Sequence, residues 1–473
     1  MRTTELLSEN PDHAQQDVYD IVGIGIGPFN LGLAALAQPL LDSGELSALF
    51  LDREPEFCWH PGMLLPSATI QVPFMADLVT LADPTSRFSF LNYCKLQGRI
   101  HRFFIKEDFY PLRREYSDYC AWVARQLPSL RWGSAVTEVY REDSGLWAVT
   151  YRDSADQDSS SQTVRARHIV SGVGTQPFVP PALRGKEDEE GVYHSAEYLF
   201  HKDRIADAES VTIIGSGQSA AEIYRDLMEH SAAKGHRLDW ITRSPRFFPM
   251  EYTKLTLEMT SPEYARYFHS LPTDIRDATN RRQRNLYKGI SGETINDIYD
   301  TYYQLSLDET LPHPFRSTLR TGWSAAWAES GNSAAHTLEL THEESGAQLI
   351  QESEVVVLAT GYRGPTFPAF LQPAQEQFEL DPKGRFAVRL DFSVDKDHTA
   401  FVQNAEEHTH SLTAPDLGMG PWRNSVILAA ITGREVYPIE RHIAFQTFGT
   451  VDSFQPPCSS DTPARHEQEG PAC

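Results

Sequence analysis

Cysteine is scarce in this chain and basic residues are outnumbered. The five cysteines (Cys58, Cys94, Cys120, Cys458 and Cys473) form no CxxC pair and no zinc-type spacing. That argues against a metal-stapled module, and no metal is expected. Their odd number and scatter suit a reducing compartment, so a cytoplasmic location is expected. Lys and Arg number 42 against 65 Asp and Glu, a net charge of −23. This balance argues against nucleic acid or an anionic membrane as a partner and suits a small cationic one. Uninterrupted apolar runs are also missing. Tyr19 to Leu41 comes nearest to a membrane span, but Pro28, Asn30 and the glycines break it, and strand–turn–helix explains it better. Residues 1–17 lack the basic start and apolar middle of a secretory leader and are expected to form a flexible tail. Residues 450–473, rich in Pro, Ser, Glu and Gln, are expected to be disordered.

What the chain does have is a pair of glycine-rich turns of one design. Ile21-Val22-Gly23-Ile24-Gly25-Ile26-Gly27-Pro28-Phe29-Asn30 and Thr212-Ile213-Ile214-Gly215-Ser216-Gly217-Gln218-Ser219-Ala220 each follow an apolar run and open an amphipathic helix. The first glycine takes a tight bend, the second lets backbone approach a pyrophosphate, and the third position packs helix on strand. Asn30 stands at the third position of the first turn and Ala220 at that of the second. Helix N-terminal amides then favour phosphate charge. One such turn is a weak sign, whereas a pair suggests two dinucleotides held face to face.

The residue after the next strand separates the two ligands. Asp52 ends Ala48-Leu49-Phe50-Leu51; an acid there accepts from an adenosine ribose and repels a 2′-phosphate, which suits FAD. Trp240-Ile241-Thr242 leads instead into Arg243 and Arg246, whose guanidinium groups suit the 2′-phosphate of NADPH. The expected fold class is α/β, with two Rossmann-like dinucleotide-binding domains and a small helical substrate subdomain. The FAD domain is expected over 18–205 plus 363–449 and the inserted NADPH domain over 206–362, with the helical subdomain at about 255–305.

Longer blocks carry a resemblance. Gly25-Ile-Gly27-Pro-Phe-Asn30-Leu31, Phe57-Cys-Trp59-His60-Pro61-Gly62-Met63, Gln71-Val-Pro-Phe-Met-Ala76-Asp77, Phe109-Tyr110-Pro111-Leu112-Arg113-Arg114-Glu115-Tyr116, Gly215-Ser-Gly217-Gln218-Ser219, Ala359-Thr360-Gly361-Tyr362 and His408-Thr409-His410 run in order. Together they resemble the microbial amine N-hydroxylases of siderophore pathways (lysine, ornithine and diamine N-monooxygenases), and most closely the diamine enzymes. The resemblance implies NADPH- and O2-dependent hydroxylation of a primary amine through a flavin C4a-hydroperoxide. It also implies a possible homo-oligomer, dimer or tetramer. It gives Gln71 a role in positioning flavin or nicotinamide, the catalytic assignment made here. Trp59 and His60 match the stretch that wraps the flavin. Val136 is expected to offer backbone to the adenine, and Leu417 matches a position near the isoalloxazine. Glu407, His408 and His410 invite a metal reading if extended, but no further ligand stands at good spacing.

The departures from the pattern bear on the substrate. Ornithine hydroxylases hold the substrate carboxylate with a lysine at the position of Ala76 and an asparagine at that of Leu257; a second asparagine falls near Tyr287, and a serine becomes Gly418. A carboxylate buried without those partners is costly, so a diamine such as putrescine or cadaverine is expected. Its distal ammonium would prefer an acid, Glu258 or Asp416. The alternatives are L-lysine N6-hydroxylation, with Lys254 or Lys288 supplying the missing cation, ornithine N5-hydroxylation, and a peroxide-forming NADPH oxidase.

Overall fold

The computed structural model describes residues 18–156, 160–328 and 335–449. Both expected tails, 1–17 and 450–473, lie outside the described residues. Two sheets organise the molecule. The first runs Leu130–Arg131, Ala48–Leu51, Val18–Ile24, Gln162–Ser171, Trp147–Asp153, Ser134–Arg141, with Ala400–Val402 also pairing with Gln162–Ser171. Its inner strands are parallel, whereas 134–141, 147–153 and 162–166 form an antiparallel meander. The second sheet is parallel throughout, in the order Arg316–Thr321, Arg237–Thr242, Ser210–Ile214, Val355–Leu358, Val192–His194.

Each glycine turn sits where a central parallel strand gives way to a helix. Ile21, Val22 and Ile24 are buried on the first strand, and Leu31, Leu33 and Leu36 on the helix Pro28–Asp42 that follows. Pro28 suits that helix start, because the first turn lacks an acceptor for its amide anyway. Each fully buried Leu contributes about 1.5–3 kcal/mol of transfer free energy. Gly25 lies at φ +84°, and a Cβ there would stand 2.7 Å from the Gly172 carbonyl oxygen. In the second turn a Cβ on Gly215 would meet the Ala359 carbonyl oxygen at 2.2 Å. Both turns therefore press against the neighbouring crossover strand, which closes the sheet at the point where ligands bind in doubly wound folds.

Two expected boundaries move. Val192–His194 is hydrogen-bonded to Val355–Leu358, so the second sheet begins before residue 206. The helical stretch at 255–305 is also not one unit. Tyr264 and Phe268 cluster with Leu412 of the returning chain, whereas Ile298 joins the core of the second sheet. The reason is local: the apolar face of Gly292–Leu307 packs where Ile223, Tyr224 and Leu227 of helix Gln218–Lys234 leave a surface to cover.

Candidate active site

A single cleft of about 1110 Å³ runs from the first glycine turn to the start of the second turn's helix. Gly25, Gly27, Asp52, Trp59, His60, Gln71 and Val136 line one arm, Gln218 and Ser219 another, and Leu257, Tyr287, Asp416 and Leu417 the remaining wall. Sequence positions hundreds apart thus share one space.

At the first turn, Asp52 Oδ2 accepts from Ile26 N at 2.5 Å and Oδ1 from Glu54 N at 2.9 Å. The acid braces the turn, and the further lone pairs of its oxygens remain for a ribose. A Cβ on Gly27 would meet nothing within 4 Å, so the phosphate face of the turn is open. Val136 lines the cleft and lies at a register shift between neighbouring strands. Gln71 Nε2 is buried and has no hydrogen-bond partner among the described residues. A buried amide donor without an acceptor is costly, and its place on the cleft wall fits a carbonyl or ring nitrogen of a bound cofactor. The open phosphate turn, the ribose acid and this orphaned donor together fit a flavin dinucleotide.

His60 sits at φ +51° beside the Trp59 and Tyr362 rings, at centroid distances of 5.2 and 5.4 Å. Part of the residue is open to solvent at the cleft, but desolvation by the surrounding side chains, then the nearby Arg113 charge, pushes its pKa down to about 4. The imidazole is thus neutral at physiological pH. Tyr287 donates to Glu407 Oε1 at 2.7 Å, and burial raises its phenol well above the usual range.

Several expected ligands serve the fold instead. Asn30 is fully buried and absent from the cleft wall; its amide donates to Gly25 O at 2.8 Å, and its oxygen accepts from Gln403 Nε2 at 2.7 Å. It ties the turn down from behind, which explains an asparagine where the pattern has glycine. Gln218 reaches the cleft, but its side chain is spent on Glu222, Thr294 and the Ser291 amide. Glu258 does not face the cleft: its carboxylate accepts the Phe445 and Gln446 amides at 2.9 and 3.0 Å and pins the C-terminal segment to helix Lys254–Leu257. Ala76 and Gly418 lie together behind the wall, their Cβ positions 3.6 Å apart. Gly215 and Gly217 shape the second turn without lining the cleft. Arg243 and Arg246 are exposed beyond strand Arg237–Thr242, and Arg246 lies over the Phe248 ring at 4.5 Å. Glu407–His410 is a short helix, not an extended segment. His408 Nε2 bonds Phe386 O at 2.7 Å, and no group of three or more His, Cys, Asp or Glu among the described residues is placed to hold a metal.

Sequence reasoning missed the join between the two units. Arg113 donates to Glu222 at 2.7 and 2.9 Å and to Met63 O at 2.8 Å, with both side chains largely buried. The residues are 109 apart, so no local spacing signals the pair. Met250, Tyr252, Leu286 and Leu412 also line the cleft, and only their apolar or aromatic type pointed to burial.

The comparisons agree with this geometry. The family model described as L-lysine 6-monooxygenase/L-ornithine 5-monooxygenase matches residues 17–364. Putrescine N-hydroxylase of Shewanella oneidensis is 46% identical over 449 residues, covering 94% of this chain and 88% of that protein. The FAD-bound cadaverine monooxygenase of the desferrioxamine pathway in Erwinia amylovora superposes with a TM-score of 0.86 at 46% identity, covering 92% and 99% of the two chains. An ornithine N-hydroxylase from Kutzneria sp. 744, solved with reduced FAD, NADP+ and L-ornithine, gives a TM-score of 0.78 at 28% identity, covering 88% and 99%. The chain belongs to the L-lysine 6-monooxygenase/L-ornithine 5-monooxygenase family.

Proposed function

We propose that this enzyme uses FAD, NADPH and O2 to hydroxylate one primary amine of an aliphatic diamine, putrescine or cadaverine, for hydroxamate siderophore biosynthesis. The carrying observation is the charge of the cleft wall. Its described lining holds no lysine, and its arginines are Arg53 and Arg113. Arg113 is locked by Glu222 and Met63 O, and Arg53 stands exposed beside Glu54 near the ribose acid. Nothing in that wall is free to meet a substrate carboxylate, whose unpaired burial costs several kcal/mol, on the order of 3–5. The lysine alternative needed a cation from Lys288 or Lys254. Lys288 donates to Glu407 at 2.9 Å, and Lys254 is exposed and off the cleft wall. The putrescine- and cadaverine-acting relatives point the same way.

When bound, the flavin supplies the oxygen chemistry and NADPH the reducing electrons. The protein's part is to orient, to exclude water and to favour a neutral amine. A free alkyl ammonium has a pKa near ~10.4, so only about one in ~10³ is neutral near pH 7. The apolar wall of Leu257, Leu286, Leu412 and Leu417 lowers that value by desolvation. Gln71 Nε2 offers its donor to the cofactor. A homodimer or homotetramer in the cytoplasm is proposed from the cysteine usage and the family resemblance. The test is hydroxylamine formed per NADPH oxidised with putrescine, cadaverine, ornithine and lysine. Tight coupling with a diamine is expected. Better turnover of ornithine or lysine, or peroxide release whatever the amine, would overturn the reading.

A further inference from the structure

Of the carboxylates near or along the cleft, Glu54 and Glu56 are exposed at the end beside the first glycine turn, Glu54 paired with Arg53; five others are candidates to meet a second positive charge, and the structure disposes of four. Asp52 is taken by two backbone amides at the first turn. Glu251 accepts the Thr253 amide at the solvent edge. Glu258 holds the C-terminal segment. Glu407 is paired with Lys288 and Tyr287. Asp416 is different. It lines the cleft, and its hydrogen bonds come only from backbone amides at the start of helix Met419–Thr432, Met419 N at 3.1 Å among them.

The nearest cation does not neutralise it. Arg423 is fully buried, lies 3.2 Å from Glu406 and donates to the Thr413 and Ala414 carbonyls at 2.9 and 2.7 Å. Arg423 is thus ion-paired with Glu406 and acts on Asp416 only through space, which leaves Asp416 without a salt bridge. Burial pushes its carboxyl pKa up, outweighing the two backbone amides and the more distant Arg423 charge. Gly418 leaves the carboxylate uncovered, because a Cβ there would already stand 3.0 Å from Oδ1.

We infer that Asp416 is the specificity-determining residue of this cleft, binding the distal ammonium of the diamine while the other amine reacts. The inference rests on the diamine reading above and names the residue that enforces it. A monoamine lacks the second charge, and an amino acid would bring a carboxylate toward an acid. Charge-assisted hydrogen bonds to a desolvated carboxylate are among the strong ones, so the preference is built into a single contact.

The test is Asp416→Asn in the flavin-loaded enzyme, assayed with putrescine and butylamine. Asparagine keeps an oxygen for the Met419 amide, so helix start, flavin content and thermal midpoint are expected to hold. KM for putrescine is expected to rise about ten- to a hundredfold with butylamine kinetics unchanged. An unchanged putrescine KM overturns the inference, as does an equal loss with both amines, which would put the carboxylate at the reacting nitrogen or in the scaffold. A second variant, Asp416→Glu, carries the charge one methylene further into the cleft and is expected to shift preference from cadaverine toward putrescine; no shift also overturns it. If the unaltered enzyme hydroxylates neither diamine, the functional reading itself has failed. If it does so while D416N behaves identically, only the role of Asp416 has failed.

Discussion

Replacing Glu222 with alanine removes the partner of a guanidinium that joins the two dinucleotide units. Arg113 opens helix Arg113–Ala124 of the first unit, and Glu222 lies on helix Gln218–Lys234 of the second. The pair is bidentate at 2.7 and 2.9 Å, with side-chain exposures of 13% and 9%. At such burial the Coulomb gain and the desolvation cost of the intact pair nearly cancel, but a lone charge keeps only the cost. Breaking a buried pair in this way costs about 3–5 kcal/mol. Glu222→Ala is therefore expected to lower unfolding free energy by that amount in urea titration followed by circular dichroism. Arg113→Met with Glu222→Leu, which removes both charges and keeps apolar volume, is expected to recover most of it. Because the pair fixes one unit against the other, the single variant is also expected to slow flavin reduction by NADPH in stopped flow. A Glu222→Ala loss below about 1 kcal/mol, the range of an exposed pair, would refute the reasoning.

The first turn and the flavin-side histidine yield two more tests. Gly25→Ala places a Cβ 2.7 Å from the Gly172 carbonyl at φ +84°; strain of about 2 kcal/mol or more should cut FAD affinity over tenfold, read from flavin absorbance after desalting, and a fully yellow variant would contradict the turn's role. His60, held down to about 4 by desolvation within the cleft and then by Arg113, should titrate near that value by NMR. Its native form resists a proton that the unfolded chain accepts near ~6.5, so acidification from about 6.5 toward 4 should lower stability, and His60→Gln should flatten that slope. A His60 midpoint at or above 6.5 would contradict the desolvation argument.

Much of the site was legible because its signals are local. A turn pressed against a crossover needs glycine whatever surrounds it, so Gly25 and Gly215 announced two dinucleotide units. An acid directly after a strand, Asp52, lies beside the turn because parallel strands are about 4.8 Å apart. Asn30 misled because its place in the motif says nothing of its partners. Its hydrogen bonds reach Val170 and Gln403, 140 and 373 residues away. Glu258 misled for the same reason, since the segment it holds returns 187 residues later.

The sequence by itself determined the two phosphate turns, the strands that lead into them and the family, because steric demands on φ and alternation of apolar residues act over a few neighbouring positions. Only the tertiary structure decided which acid faces the cleft, which arginine is already spent and which amide donor stands unpaired. Those are questions of pairing and desolvation between groups far apart along the chain, and charge has no meaning for recognition until folding has assigned it a partner or left it without one.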